Sequence, residues 1–117
     1  MTKHNQRVGA WGEETAVRYV TKRGYEVIAR NVRTPYGEID IIAQRGGIVI
    51  FIEVKTLTSS KNFLPEHQIT ARKREHMLHA AQYYAAEHAI DHWQIDVIAI
   101  EGKPQNEPVV THFESAL

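Results

Sequence analysis

Four charged side chains lie in the stretch GEIDIIAQRGGIVIFIEVK, residues 37–55, within two short apolar segments separated by a glycine pair. Isoleucine- and valine-rich runs on both sides of such a pair predict a β-hairpin. Because side chains alternate between the faces of a strand, Glu38 and Asp40 would share one face of the first strand. Glu53 and Lys55 would share the same face of the second strand, and the intervening apolar positions would belong to the core.

A two-residue turn at positions 46–47 determines how these strands would pair. It places Asp40 opposite Glu53, with their Cβ atoms about 4.5–5.5 Å apart, and Glu38 opposite Lys55. Two carboxylates at that distance repel each other, and a divalent cation between them removes the repulsion. Hard oxygen ligands of this kind suit Mg²⁺ or Mn²⁺. The alternative is an exposed sheet face with cross-strand ion pairs. It explains the pairing of Glu38 with Lys55 but not that of Asp40 with Glu53.

Phosphodiester hydrolysis is the chemistry that these groups could perform. A cation held by Asp40 and Glu53 would polarise the phosphate and lower the pKa of a bound water. Lys55 would orient that water or stabilise the charge that develops on the phosphorus oxygens. Glu38 would either act on the metal through water or pair with Lys55.

The elements that must position these residues follow from periodicity and turn signals. Helices are predicted over 6–23 and 68–88, and strands over 25–31, 38–44, 48–57, 93–100 and 108–113. The order α-β-β-β-α-β-β predicts an α/β (α+β) fold, a mixed central sheet flanked by helices, in a single domain spanning residues 1–117. A polar loop is expected over 58–67.

The predicted first helix carries a stripe of small residues, Gly9, Gly12 and Ala16, which would allow close packing. Glu13 projects next to this stripe, whereas its neighbour Glu14 is expected to be solvated.

The predicted second helix begins with a basic cluster, Arg72, Lys73 and Arg74. Lys73 lies four residues from both Ile69 and Met77, on the apolar face, where a solvated lysine is unusual. It would reach the acids or a phosphate, or else extend to the surface. Arg72 and Arg74 would be solvated in the free protein and would contact backbone phosphates in a complex.

Histidines and aromatic residues give weaker signals. His76 and His79 are three residues apart and His88 and His92 four apart, but no acid or cysteine is placed convincingly beside either pair, so no zinc site is expected. Trp11, Tyr36 and Phe63 could stack on bases, although packing within the protein is the favoured interpretation.

Composition bounds the class of protein. The chain has 117 residues, 43% of them hydrophobic, and it lacks cysteine and any apolar run long enough to span a bilayer. A cytoplasmic protein without membrane contact is therefore expected.

The net charge is zero, but it is unevenly distributed along the chain. Residues 1–33 hold seven Lys/Arg against three Asp/Glu, and residues 75–117 hold one Lys/Arg against seven Asp/Glu. The basic segment is either a footprint for nucleic acid or an ordinary solvated surface.

The acid at Asp40 followed by the triplet Glu53-Val54-Lys55 resembles the motif of the PD-(D/E)xK nuclease superfamily. The surrounding sequence resembles the small bacterial YraN-like family of predicted endonucleases, which are related to archaeal Holliday-junction resolvases. The matching positions cover nearly the whole chain: Gly9, Gly12-Glu13, Ala16, Gly24-Tyr25, Arg30-Asn31, 37–40, 51–56, Lys73, Ala80-Ala81, Tyr84 and Asp96-Val97.

This resemblance implies a restriction-endonuclease-like fold with a Mg²⁺ or Mn²⁺ site. It implies that Glu13, Asp40 and Glu53 hold the metal, that Lys55 completes the catalytic set, and that the substrate is nucleic acid, DNA being favoured. A homodimer is also expected, since resolvases act on two strands.

The chain departs from the family pattern in places. Leu57 and Gln94 stand where the family usually has arginine, and the ending 114–117 differs, which affects expected phosphate contacts. Two other functions therefore remain open. One is a nucleic-acid-binding module that keeps the nuclease fold without cutting, and the other is a protein-interaction subunit whose acidic C-terminal third meets a basic partner.

Overall fold

The computed structural model describes residues 3–57 and 70–117. The helices and strands, in chain order, are α1 (Lys3–Lys22), β1 (Glu26–Thr34), β2 (Gly37–Arg45), β3 (Ile48–Leu57), α2 (Ala71–Glu87), β4 (Trp93–Glu101) and β5 (Val109–Phe113). This confirms the predicted order of elements. The loop predicted at 58–67, the helical residues predicted at 68–69, and Phe63 lie outside the described residues.

Several boundaries differ from the predictions by one to three residues, and two of these differences have a local reason. The second helix begins after Thr70, whose hydroxyl accepts a hydrogen bond from the Lys73 N–H at 3.1 Å, so Thr70 is an N-cap and not a helical residue. β1 continues three residues beyond Asn31 to Thr34, because its antiparallel pairing with β2 persists as far as Gly37.

The five strands form one mixed sheet in the order β1-β2-β3-β4-β5. β3 and β4 are parallel, and every other neighbouring pair is antiparallel. The chain between the two parallel strands includes α2, as a crossover connection requires. The α+β class and the mixed, helix-flanked sheet are confirmed, and the architecture is compatible with a restriction-endonuclease-like fold.

Both faces of the sheet are buried against a helix. On one face, Ala16 and Val20 of α1 pack with Ile41, Ile52 and other apolar side chains. On the other face, the alanines of α2 pack against a cluster that contains Ile42, Phe51 and Ile95. No helix in the described part of the chain is long and apolar enough to cross a membrane.

The β2–β3 hairpin has the predicted turn. Gly46 and Gly47 both have positive φ, 57° and 79°, as the tight glycine turn requires. The register runs from Arg45 opposite Ile48 to Ile41 opposite Ile52, which confirms the predicted pairing over this range. The regular pairing ends there, just before Asp40 and Glu53.

Strict alternation along β2 was expected, and it breaks at Asp40. Ile39 packs in the same cluster as Ile42, on the α2 face, whereas Ile41 packs on the α1 face. The prediction of strict alternation is therefore wrong between Ile39 and Ile41. On β1, beside the break, Asn31 lies between the residues paired with Ile39 and Ile41 and has a positive φ of 52°.

α1 approaches β3 most closely at Gly12. A Cβ added to Gly12 would overlap the Thr56 hydroxyl and lie 3.1 Å from Thr56 Cβ, whereas nothing lies within 4 Å of a Cβ added to Gly9. The predicted stripe of small residues is thus required at Gly12 and not at Gly9.

Replacing Gly12 with alanine should therefore destabilise the protein. We expect Gly12→Ala to unfold about 1–3 kcal/mol more easily than Gly9→Ala, because overpacking affects only the first, while the gain in helix propensity is common to both. Urea denaturation of the two variants measures the difference. Equal stabilities would show that the helix can shift away from Thr56 at no cost.

Candidate functional site

Three carboxylates from three different elements meet at the edge where β2 and β3 separate. Glu13 comes from α1, Asp40 from β2 and Glu53 from β3. Burial raises the pKa of Asp40 to about 8, together with the charge and hydrogen bonding of Glu53 and the charge of Glu13, against the opposing effect of a main-chain hydrogen bond. The three predicted acids are therefore close enough to interact.

Asp40 is held at this position by the backbone of the neighbouring strand. Its Oδ2 accepts a hydrogen bond from the Val54 N–H at 2.8 Å. The side chain thus takes a β3 donor at the point where the β2–β3 ladder has ended after Ile41 and Ile52. This bond turns the carboxylate toward β3 and holds it beside Glu53, although the regular β2–β3 pairing ends one residue earlier.

Glu13 is anchored by two residues of β1. Arg30 lies 3.9 Å from Glu13 Oε1 and 3.1 Å from Glu14 Oε2. With its amide nitrogen facing the acids, Asn31 donates to both Glu13 oxygens, at 3.1 and 3.2 Å, and to Glu38 Oε1 at 3.2 Å. Burial raises the pKa of Glu13, Arg30 and Asn31 lower it, and the charges of Glu38 and Glu53 raise it, with a net increase.

Lys73 of α2 reaches the site. Its Nζ lies 3.0 Å from Glu53 Oε1, and the lysine side chain is 49% exposed against 14% for the glutamate. Burial lowers the pKa of Lys73, but the charge and hydrogen bond of Glu53 outweigh this effect, so the pKa is raised. Lys73 thus bridges the acids and solvent, while Arg72 and Arg74 are exposed. Contact of these three with nucleic acid stays a prediction.

The predicted cross-strand pairing of Glu38 with Lys55 is wrong. Glu38 instead lies opposite Arg33 of β1 and beside Asn31, because β2 has separated from β3 at this point. Lys55 is half-buried two residues after Glu53, opposite Ala99 of β4, and it makes no ion pair with any residue that the structure describes.

A cleft of about 80 Å³ opens beside Glu53, between the β2–β3 hairpin and α2. Glu38, Glu53, Lys73 and His76 supply its polar lining, and Tyr36 lies at its rim. The cleft can hold several water molecules, so it has room for a hydrated ion or a phosphate group.

The donor set of the site fits a hard cation only in part. Within residues 3–57 and 70–117, no three histidine or acidic side chains are placed so that together they could hold a metal ion. Asp40 and Glu53 nevertheless provide two adjacent carboxylates. Burial, together with the charge of Glu53, raises the pKa of Asp40, and a cation would relieve the repulsion between the two groups. Mg²⁺ commonly binds through one or two carboxylates together with waters and substrate phosphates. The residues present fit that mode of binding.

The match to a family model decides the identity. The model described as "Uncharacterised protein family UPF0102" matches residues 12–100. This range contains Glu13, Asp40, Glu53, Lys55 and Lys73. The chain belongs to the UPF0102 family. This confirms the resemblance to YraN-like proteins at the level of the family.

Individual UPF0102 proteins are similar over almost their whole length. One from Syntrophotalea carbinolica is 39% identical over 118 residues, which cover 99% of this chain and 95% of the relative. One from Desulfitobacterium hafniense is 40% identical, with 90% of this chain and 89% of the relative covered. One from Roseiflexus castenholzii is 37% identical, with 100% and 98% covered.

Outside this site, the carboxylate of Asp96 is fully buried on the α1 face of the sheet. Its Oδ1 accepts from the Gln94 amide at 2.8 Å and from the Ser115 N–H at 2.9 Å, and its Oδ2 lies 2.7 Å from His112 Nε2. Gln94 thus contacts Asp96 and does not line the cleft beside Glu53.

Two sets of contacts were not predicted from the sequence. The first joins Arg30 and Asn31 to Glu13, and the second joins Asp96 to His112. Arg30, Asn31 and Asp96 had appeared only as positions that match the family. A positive φ at an asparagine is a recognisable tendency, but nothing local distinguishes Asn31 from other asparagines. The partners of Asp96 lie up to 19 residues away in sequence, so no local pattern connects them.

Proposed function

We propose that this UPF0102 protein is a metal-dependent endonuclease that hydrolyses phosphodiester bonds in structured or branched DNA. The convergence of Asp40 and Glu53, with Glu13 close by, is the observation that carries this proposal. Burial of Asp40 and the charge of the adjacent Glu53 raise the pKa of Asp40 to about 8, so the doubly charged form of this pair is disfavoured. A cation between the two carboxylates would remove their repulsion.

Each residue of the site has a role in this mechanism. Asp40 and Glu53 bind the cation, and Glu13 assists, positioned by Arg30 and Asn31. Bound Mg²⁺ or Mn²⁺ supplies charge stabilisation at the phosphate and lowers the pKa of a water. Lys55 donates hydrogen bonds to the attacking water or to the phosphate oxygens.

Lys73 neutralises Glu53 in the metal-free protein, at 3.0 Å. If Asp40 and Glu53 held a cation, the ammonium group of Lys73 would be free to contact a phosphate. Arg72 and Arg74, at the start of the same helix, extend this positive surface along the backbone of the nucleic acid. A cytoplasmic homodimer would present two clefts, one to each strand of a branched substrate.

A non-catalytic nucleic-acid-binding module is the second candidate. The Lys73–Glu53 ion pair favours it, because the lysine satisfies Glu53 without any metal. A protein-interaction subunit is the third possibility that the acidic C-terminal third leaves open.

A cleavage assay separates these candidates. Labelled four-way junctions, flaps, single strands and blunt duplexes are incubated with the protein in Mg²⁺, Mn²⁺ or EDTA. The endonuclease proposal expects branched substrates to be cut with either metal and left intact in EDTA. Salt-dependent binding without cleavage in both metals would favour the binding module. Absence of any nucleic-acid binding, together with stable co-purification of a basic partner, would favour the interaction subunit.

Replacing Lys55 with alanine tests the assignment of the site. We expect Lys55→Ala to lower the cleavage rate about 100-fold or more, because a positive group beside the reacting phosphate is lost. The unfolding midpoint and Mn²⁺ binding should be unchanged. Lys103→Ala, which removes an exposed lysine from the turn before β5, is the matched control and should cut normally. Undiminished cleavage by Lys55→Ala would remove Lys55 from the catalytic set.

A further inference from the structure

A group of exposed aromatic rings lies beside the cleft that Glu38, Glu53 and Lys73 line, which we call the acid cleft. The ring of Tyr36, in the turn between β1 and β2, makes edge contacts with His79 and Tyr83 of α2, at centroid distances of 5.3 and 6.3 Å. Tyr36 is 46% exposed and Tyr83 is 38% exposed. The rings are therefore held against one another without being buried, and each keeps a surface open to solvent.

This aromatic group is continuous with the candidate site. Tyr36, His79, Gln82 and Tyr83 line a shallow groove, and Tyr36 also lines the acid cleft that contains Glu53 and Lys73. The position of Tyr36 is fixed by its turn, since its N–H donates to the Thr34 hydroxyl at 3.1 Å. The groove thus begins where the cleft ends.

A row of side chains leads from Arg72 at the start of α2 to the same groove. Arg72, His76, His79 and Tyr83 follow one another at spacings of four, three and four residues, which places them in one row along the helix. Arg72 and His76 are exposed. A nucleic-acid strand that follows this row would pass its backbone over the basic residues and bring its bases to the rings.

We propose that Tyr36, His79 and Tyr83 form a platform on which an unpaired nucleobase stacks, next to the phosphate that lies in the acid cleft. This inference rests on the proposed nuclease function and specifies its substrate. Every base presents a π-face to an aromatic ring, so the platform accepts bases without regard to sequence. A base inside a duplex is already stacked and paired, so it is not available. The platform therefore selects substrates with an unpaired base at the cleavage site, as at a flap or a junction.

A fluorescent base analogue tests the platform directly. Flap and single-stranded substrates carry 2-aminopurine in the unpaired segment, and binding is followed by its quenching and by anisotropy, in EDTA and again with Ca²⁺. Wild-type protein should quench the unpaired analogue. Tyr36→Ala and Tyr83→Ala should lose the quenching and bind these substrates about 5- to 100-fold more weakly, with the affinity for blunt duplex unchanged.

Two controls separate stacking from folding. Tyr36→Phe keeps the ring and should behave as wild type. Leu78→Ala, on another face of α2 and with the same 38% exposure as Tyr83, should also leave binding unchanged. Normal binding and quenching by Tyr36→Ala would overturn the platform and leave the proposed nuclease function intact. A wild-type protein that binds no nucleic acid in either condition would overturn both.

Discussion

Replacing Asp40 with asparagine is expected to abolish metal-dependent cleavage and, at the same time, to stabilise the metal-free protein at pH 8 and above. Asparagine keeps an oxygen that can accept the Val54 N–H, the bond that holds Asp40 at 2.8 Å. It removes the negative charge that faces Glu53. Without that charge, the cation loses one of its two closest carboxylate ligands, and we expect a loss in rate of about 1000-fold or more.

The expected gain in stability follows from the pKa of Asp40. In the folded protein this pKa is about 8, against an ordinary value of 3.8. The folded state therefore retains a proton that the unfolded chain releases between these values, and the free energy of unfolding falls as pH rises from about 4 to about 8. One pKa unit corresponds to about 1.4 kcal/mol, so the total decrease is on the order of several kcal/mol. Asparagine does not titrate, so the variant avoids this decrease.

Thermal unfolding between pH 5 and pH 9, in EDTA and in Mn²⁺, measures both effects. The wild type should lose stability toward pH 8 in EDTA and regain it with Mn²⁺, by about 2.7 kcal/mol when the metal is at 100 times its Kd. Asp40→Asn should have a flatter pH profile and no response to Mn²⁺, and calorimetric titration should show no Mn²⁺ binding. Identical pH profiles for the two proteins would mean that Asp40 and Glu53 do not interact as described.

Replacing Asp96 with alanine should have the opposite pattern, a large loss of stability with the metal site preserved. Asp96 is fully buried and accepts from Gln94, His112 and the Ser115 N–H. Alanine would leave these donors without an acceptor inside the protein. Because removing one partner of a buried charged network leaves the others unsatisfied, we expect a cost of about 3–5 kcal/mol.

Asp91→Ala is the matched control, since Asp91 is an exposed acid shortly before the same strand, β4. Its free energy of unfolding should change by less than about 0.5 kcal/mol. Urea denaturation compares the two variants, and Mn²⁺ titration of the folded Asp96→Ala protein should resemble that of the wild type. A cost below about 1 kcal/mol for Asp96→Ala would show that water replaces the carboxylate. Loss of Mn²⁺ binding would place Asp96 in the metal site.

The sequence by itself determined the features that depend on neighbouring residues. The glycine pair at 46–47 set the register of the hairpin, and this register brought Asp40 toward Glu53. The order of helices and strands also followed from periodicity and turn residues, because amphipathic patterns are local properties of the chain. The family resemblance rested on the same local motifs.

Only the tertiary structure decided which distant residues complete the site. β2 separates from β3 beyond Ile41, so Glu38 lies beside Asn31 of β1 and does not pair with Lys55. α2 brings Lys73 to Glu53, and it brings His79 and Tyr83 to Tyr36. These contacts arise from the packing of helices on the two faces of the sheet. Packing joins residues that are far apart in sequence, so periodicity within a single element does not encode such pairings.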